Sequence, residues 1–192
     1  MNLINVGYRS VNSYAVEIPE GYLLIDVGMP NTFGEFRATL RRKKVPLEKL
    51  RLLVTTHFHP DHCGIAEEVK SAGAALLLGD VQAARLAEAN RFLARFPGYV
   101  PITISGSKVI PTCDRAAWTA ATGVGGVLLH TPGHSDDSVT VVIDGLGAFV
   151  GDLRPPEAYA GSAETQTRES WKRIRTAGAR IAFPAHGPEF DC

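Results

Sequence analysis

The sequence is poor in cysteine. It contains three, Cys63, Cys113 and Cys192, among 192 residues. An odd number of widely spaced cysteines argues against a domain held together by disulfides. The expected compartment is therefore a reducing one, and the sequence predicts a cytoplasmic protein.

The sequence also lacks long apolar runs and an excess of charge of either sign. No run approaches the roughly 18 residues of a membrane-spanning helix, and residues 1–5 do not resemble a signal peptide. Lys and Arg together number 20, as do Asp and Glu. A neutral chain has no general attraction to nucleic acid or to an anionic membrane, so neither is expected as a partner. A homodimer is compatible with the sequence on general grounds only.

The chain is expected to form one domain over residues 1–192, because this length suits one hydrophobic core and no linker or repeat divides it. Strands at 14–18 and 22–27 are predicted to pair as a hairpin. Further strands are predicted at 51–56, 74–78, 127–130, 138–143, 148–150 and 180–183. Helices are predicted after residue 31, over 63–71, after a cap at Asp80, and around 167–174. This alternation indicates a layered α/β domain.

The most informative segment is Thr56-His57-Phe58-His59-Pro60-Asp61-His62. Four side chains that can bind metal, those of His57, His59, Asp61 and His62, follow a predicted strand directly. Imidazole nitrogen and carboxylate oxygen are good ligands for zinc and related divalent ions. A solvated loop with incidental histidines is the alternative, and so many ligands in one short segment disfavour it.

Three further residues with metal-binding side chains stand where predicted strands end, and these are His134, Asp152 and His186. Ligands in open α/β sheets gather at such strand ends. Of the other candidates near the motif, His130 is expected to be structural. Cys63 is expected to be a small buried side chain rather than a reactive thiol.

Together these motifs resemble the metallo-β-lactamase superfamily. The order His57-x-His59-x-Asp61-His62, then His134, Asp152 and His186, is similar to the pattern of that family, and so is the early strand 24–28. The resemblance covers nearly the whole chain. It implies an α/β fold, a four-layer αββα sandwich with the metal site at one edge.

The resemblance also implies a ligand set. A first metal ion is expected on His57, His59 and His134. A second is expected on Asp61, His62 and His186, with Asp152 bridging the two. Asp26 matches a buried aspartate that supports the ligand loops in the family, a role compatible with its capping backbone amides at a strand end.

The chemistry that this set implies is hydrolysis. Two divalent ions can share a water, lower its pKa to about 7 and stabilise the charge that develops on the substrate. The attacking group is then the shared hydroxide, oriented by Asp61. Zinc is the expected metal, and iron and manganese also suit these ligands.

The expected substrate is a small molecule with an ester, thioester or lactone bond. Substrate contacts are expected from the stretches 92–106 and 153–161, with Tyr99 and Tyr159 as candidates. The alternative for Tyr99 is a place in the core, and the alternative for Tyr159, a packed or surface side chain, is favoured. Three alternatives stay open. They are a persulfide dioxygenase of the same fold with a single iron, an amide hydrolase of the β-lactamase type, and a non-enzymatic metal-binding module.

Overall fold

Two β-sheets, described by a computed structural model over residues 1–158 and 161–192, form the centre of the fold. The first half of the chain contains β1 Leu3–Asn5, β2 Tyr14–Ile18, β3 Gly21–Ile25, α1 Phe33–Arg42, β4 Leu50–Val54, α2 Pro60–Cys63, α3 Ala66–Ser71, β5 Ala75–Gly79 and α4 Asp80–Leu93. The second half contains β6 Lys108–Ile110, α5 Arg115–Thr122, β7 Gly126–His130, β8 Val139–Ile143, β9 Gly147–Gly151, α6 Ser162–Thr176, β10 Ile181–Pro184 and β11 Phe190–Asp191. Single 3₁₀ turns occur at Leu47–Lys49 and Pro156–Ala158.

The first sheet has the strand order β1-β2-β3-β4-β5-β6, and the second has the order β11-β10-β9-β8-β7. In the first, β2 and β3 form the predicted antiparallel hairpin, and β3 to β6 run parallel. In the second, β9 pairs parallel with β10 and antiparallel with β8. Predicted ligands lie in the segments that follow three of these strands, β4, β9 and β10.

Alternation along the strands separates the apolar side chains into layers. Leu24 packs with Phe36 of α1 in a core under the helices of the first half. Its neighbour Leu23 points the other way, into a core between the sheets that includes Phe149. A third core places Trp171 of α6 against the outer face of the second sheet. The layer order is helix, sheet, sheet, helix, so the αββα prediction is confirmed.

Some elements differ from the sequence-based expectation. The helix predicted over 63–71 is two helices, α2 and α3, interrupted at Gly64–Ile65. A side chain at Gly64 would lie 2.3 Å from Pro30 and from the Pro60 carbonyl, so the chain is tightly folded here. Asp80 is the first residue of α4 rather than its cap. Its carboxylate instead accepts hydrogen bonds from the backbone N–H and the hydroxyl of Thr112.

Four elements have no counterpart in the prediction: β1, β6, β11 and α5. The three strands have two or three residues each, too few to show an alternating pattern. Helix α5 has only eight residues and is rich in alanine and threonine, and Asp114 caps it by accepting a hydrogen bond from Ala117 N–H. None of the helices in the described residues is long and apolar enough to cross a membrane.

Candidate metal centre

The seven predicted ligands converge at one edge of the sandwich. His57 and His59 lie in the loop that leaves β4, and Asp61 and His62 lie on the short helix α2. The others come from the second half of the chain: His134 from the loop after β7, Asp152 from the end of β9 and His186 from the loop after β10. Most of the set therefore lies in short loops that directly follow strands, and such anchored positions suit a precisely held site.

The ligand atoms form two groups. The first consists of His57, His59, His134 and Asp152, and the second of Asp61, His62 and His186. In the first, His134 Nε2 lies 3.0 Å from His59 Nδ1 and 3.5 Å from Asp152 Oδ2. In the second, Asp61 Oδ2 lies 3.5 Å from His62 Nε2 and 3.4 Å from His186 Nε2.

Asp152 stands between the two groups. Its Oδ2 faces the first group, 4.0 Å from His57 Nε2 and 3.5 Å from His134 Nε2. Its Oδ1 faces the second, 3.4 Å from both His62 Nε2 and His186 Nε2. The two oxygens of one carboxylate thus point to separate sets of histidines, the arrangement that a bridging ligand needs.

The donor set fits divalent metal ions. The buried atoms His57 Nε2, His62 Nε2 and Asp152 Oδ1 have no hydrogen-bond partner among the described residues. Leaving such atoms unsatisfied costs about 1–3 kcal/mol each, and a bound cation removes that cost. Ligands about 2.0–2.1 Å from a zinc ion stand about 3.4 Å apart in a tetrahedron. Five of the separations around Asp61 and Asp152, of 3.4–3.5 Å, match that spacing, and the one between His57 Nε2 and Asp152 Oδ2 is longer, at 4.0 Å.

Hydrogen bonds to the far side of the rings orient two of the second group's ligands. His62 Nδ1 lies 3.0 Å from Asp26 Oδ2, and His186 Nδ1 lies 2.8 Å from the Ser10 carbonyl. A carboxylate and a carbonyl only accept, so both rings donate through Nδ1. Each Nε2 is then directed toward the second group, as is usual for metal-binding histidines.

Asp26 has the surroundings expected of a supporting residue. It is buried, with 2% of its surface exposed, and its backbone has the unusual φ of 60°. Besides His62 it accepts the backbone N–H of Thr56 at 2.7 Å. The two roles considered for it, support of the ligands and capping of backbone amides, are therefore both compatible with its contacts.

The charges of the centre are strongly coupled. Burial, and then the neighbouring histidines, hold the pKa of His57 well below its usual value. Burial also favours neutral His62, but Asp26 and Asp152 outweigh it and raise the pKa of His62 to about 10. Asp152 has a lowered pKa because the nearby histidines outweigh its desolvation. The Asp152 carboxylate is therefore ionised at neutral pH, as binding a metal would require.

The remaining candidates lie elsewhere. Tyr99 donates its hydroxyl to Asn90 Oδ1 at 2.6 Å and packs against the first-half core. This placement favours a structural role over the substrate contact expected from the sequence. Tyr159 lies outside the described residues. His130 bonds to the Asp136 carbonyl at 2.9 Å and belongs to neither ligand group. Cys63 is fully buried, and burial raises the pKa of its thiol, which disfavours reactivity.

Two cavities border the centre. One, of about 280 Å³, is lined by His134, Asp152 and His186 together with Leu153 and Phe190. The other, of about 240 Å³, lies beside His59 and is lined by apolar and charged side chains: Phe58, Ala89, Phe92, Arg85, Glu88, Asp136 and Asp137. The stretches 92–106 and 153–161, expected to supply substrate contacts, each contribute to one cavity.

Comparison with known proteins establishes the family. The model of the metallo-beta-lactamase superfamily matches residues 6–186. The chain therefore belongs to the metallo-beta-lactamase superfamily, as its motifs indicated.

The individual relatives and solved structures share only a small part of their sequence with this chain. A curated relative, "Beta-lactamase-like protein 2 homolog" of Drosophila melanogaster, is 24% identical over an alignment of 183 residues, and the match covers 93% of this chain and 59% of the relative. The chain thus spans less than two thirds of that relative's length. Among solved structures, a beta-lactamase from Chitinophaga pinensis has a TM-score of 0.72 at 18% identity, covering 96% of this chain and 75% of its own.

The metallo-beta-lactamase MIM-1 from Novosphingobium pentaromativorans has a TM-score of 0.72 at 19% identity, covering 96% of this chain and 73% of its own. At such identities, these two structures show that the fold is shared and do not identify a substrate.

Proposed function

We propose that this protein is a hydrolase with two divalent metal ions, zinc being the first candidate, that cleaves a small-molecule ester, thioester or lactone. The observation that carries the proposal is the position of Asp152, whose two carboxylate oxygens face separate groups of histidines. When bound, such ions lower the pKa of water to about 7 and stabilise negative charge on the substrate.

The residues of the chain supply the rest of the chemistry. The Asp61 side chain is 29% exposed, and its Oδ2 lies within 3.5 Å of His62 and His186. Water can therefore reach this carboxylate, which can orient an attacking water and accept its proton. Two cavities can hold the substrate on either side of the bond that is cleaved. One lies beside His134 and Asp152, and the other lies beside His59.

A hydrolysis panel tests the proposal. Lactones, thioesters, aryl esters and a β-lactam are incubated with the purified protein before and after a chelator removes its metal. We expect turnover of at least one ester, thioester or lactone, loss of that turnover with the chelator, and recovery when zinc or manganese is returned. Hydrolysis of none of these, together with oxygen consumption on a persulfide by an iron form, would instead identify the dioxygenase.

Phe92 is the residue that we expect to contact an apolar part of the substrate. Its side chain lines the cavity beside His59, its ring centroid lies 6.4 Å from that of His59, and it is 39% exposed despite being aromatic. Phe92→Ala should raise KM for substrates with an apolar acyl group about 3–10-fold, because part of the 1.5–3 kcal/mol from burying such a ring is lost. For short acetyl substrates the change should be smaller.

The control for this variant is Val109→Ala, which shortens another exposed apolar side chain, on β6. Its kinetics should match those of the wild type. Equal KM values for Phe92→Ala and the wild type on all acyl lengths would place the substrate elsewhere.

The proposed partner is the small-molecule substrate, with no nucleic acid or membrane. The free cysteines, Cys63, Cys113 and Cys192, fit a reducing compartment, and the cytoplasm remains the proposed location.

A further inference from the structure

Thr56 connects the two halves of the centre. It follows β4, directly precedes His57 and is 1% exposed. Its backbone N–H donates to Asp26 Oδ1 at 2.7 Å, and its carbonyl accepts from Val139 N–H of the second sheet at 2.8 Å. The backbone at this residue is therefore fixed by both sheets, and its side chain has little freedom.

The hydroxyl of Thr56 determines which nitrogen of His57 carries hydrogen. Thr56 Oγ1 donates to Asp26 Oδ2 at 2.8 Å, since a carboxylate only accepts. Its single hydrogen is thereby used, and the oxygen can only accept from His57 Nδ1, which lies 3.2 Å away. His57 therefore carries its hydrogen on Nδ1, and Nε2 keeps the lone pair that a metal needs.

The same Asp26 oxygen accepts the Nδ1–H of His62 at 3.0 Å. A continuous chain of hydrogen bonds thus runs from His57 through Thr56 and Asp26 to His62. It joins one ligand of the first group to one ligand of the second.

A third ligand is connected through packing. Gly151, which precedes Asp152, has a φ of 58°, and a Cβ there would lie 2.5 Å from Thr56 Oγ1. The Thr56 side chain therefore lies directly against the backbone that positions the bridging carboxylate. This contact is independent of the hydrogen bonds.

We propose that Thr56 is a positioning residue of the metal centre: its hydroxyl, held by Asp26, fixes the tautomer of His57 and couples that ligand to His62. The proposal rests on the metal centre of the proposed function, and it concerns assembly of that centre rather than the substrate. Loss of the hydroxyl should weaken metal binding, and the ion on His57 should be affected most.

The test compares Thr56→Val, which keeps the shape and removes the hydroxyl, with Thr56→Ser, which keeps the hydroxyl. Zinc affinities are measured by competition with a chromophoric chelator. We expect Thr56→Val to bind the first-group ion about 10–100-fold more weakly, the usual effect of losing a partner of a ligand. Thr56→Ser should stay within about threefold of wild type.

Thr55→Val is a matched control. Thr55 is adjacent and equally buried, but its hydroxyl has no hydrogen-bond partner among the described residues. Its loss should leave zinc affinity within about threefold of wild type, because no ligand depends on it. Nitrogen NMR of the metal-free protein gives a second readout. His57 should carry its hydrogen on Nδ1 in the wild type and in Thr56→Ser, and should show a mixture of tautomers in Thr56→Val.

Wild-type zinc affinity and an unchanged His57 tautomer in a folded Thr56→Val protein would overturn the proposal, and so would a failure of Thr56→Ser to retain affinity. If the wild type binds only one ion, the proposed function with two metal ions is wrong, whatever the result for Thr56. The Thr56 proposal is then judged on that ion, and an unchanged affinity in Thr56→Val overturns it.

Discussion

Asp152→Ala is expected to lower kcat by about 10²–10³-fold or more and to leave the protein with fewer bound metal ions than the wild type. A single removed group that stabilises the transition state typically costs a factor of this size. Removing the Asp152 carboxylate should lower kcat at least as much, because its Oδ1 and Oδ2 lie 3.4–4.0 Å from histidine nitrogens of both groups. Metal content by elemental analysis and kcat on the best substrate of the hydrolysis panel are the measurements.

The control for this prediction is Asp144→Ala. Asp144 lies in the turn after β8, is about half exposed and pairs with Arg115 at 2.9 Å. It belongs to neither ligand group, so its variant should keep both ions and full activity. Circular dichroism should show that both variants are folded. A folded Asp152→Ala protein with two ions and wild-type turnover would exclude the bridging role.

Affinity for the second-group ion should rise steeply with pH. A histidine binds metal through an unprotonated nitrogen, so a bound proton must leave first. The pKa of His62 in the metal-free protein is raised to about 10 by Asp26 and Asp152, which outweigh its burial. His62 therefore carries that proton at neutral pH. Below about pH 10, affinity for the ion on Asp61, His62 and His186 should increase about tenfold per pH unit.

The affinity for the first-group ion should depend less on pH. Burial lowers the pKa values of His57 and His134, so these two rings are already neutral near pH 7. Lowering the pH from 8 to 6 should thus remove the second ion while much of the first remains. Calorimetric zinc titrations in buffers of different ionisation enthalpy measure both the affinity and the number of protons released.

Asp26→Asn provides the comparison for the pH prediction. Removing the Asp26 charge should lower the pKa of His62, because that charge is the largest influence raising it. Fewer protons should then be released per second ion at pH 7–8. Equal pH dependence of the two ions in the wild type, with no proton release, would show that His62 is not the ligand that titrates.

The sequence could predict that these seven side chains meet at one site because they are marked locally. The motif from His57 to His62 is contiguous, and Asp152 and His186 each follow an apolar strand that could be recognised. The alternation of predicted strands and helices indicated a layered α/β domain, and the family resemblance implied the four-layer sandwich. The short edge strands lack such a signal, because two or three residues show no periodicity. Helix α5 has only eight residues, which is too short a stretch for helical periodicity to be recognised.

The role of Thr56 was not predictable in the same way, although it stands within the motif. Its contact with Asp26 depends on β3 and β4 being parallel neighbours with Ile25 opposite Val54. That register places the residues that follow each strand side by side, and no local pattern specifies it. Tyr99 is the converse case. As an aromatic residue in a loop it was a candidate for contacting the substrate, but its hydroxyl donates to Asn90 instead.

The central claim is that Asp152 bridges two ions, and elemental analysis of the purified protein tests it most directly. The protein is loaded with zinc or manganese at pH 8, freed of excess metal and analysed beside Asp152→Ala. The account predicts about two equivalents per chain in the wild type and a clear reduction in the variant. One equivalent in both proteins, or a single iron as the only metal retained, would contradict it.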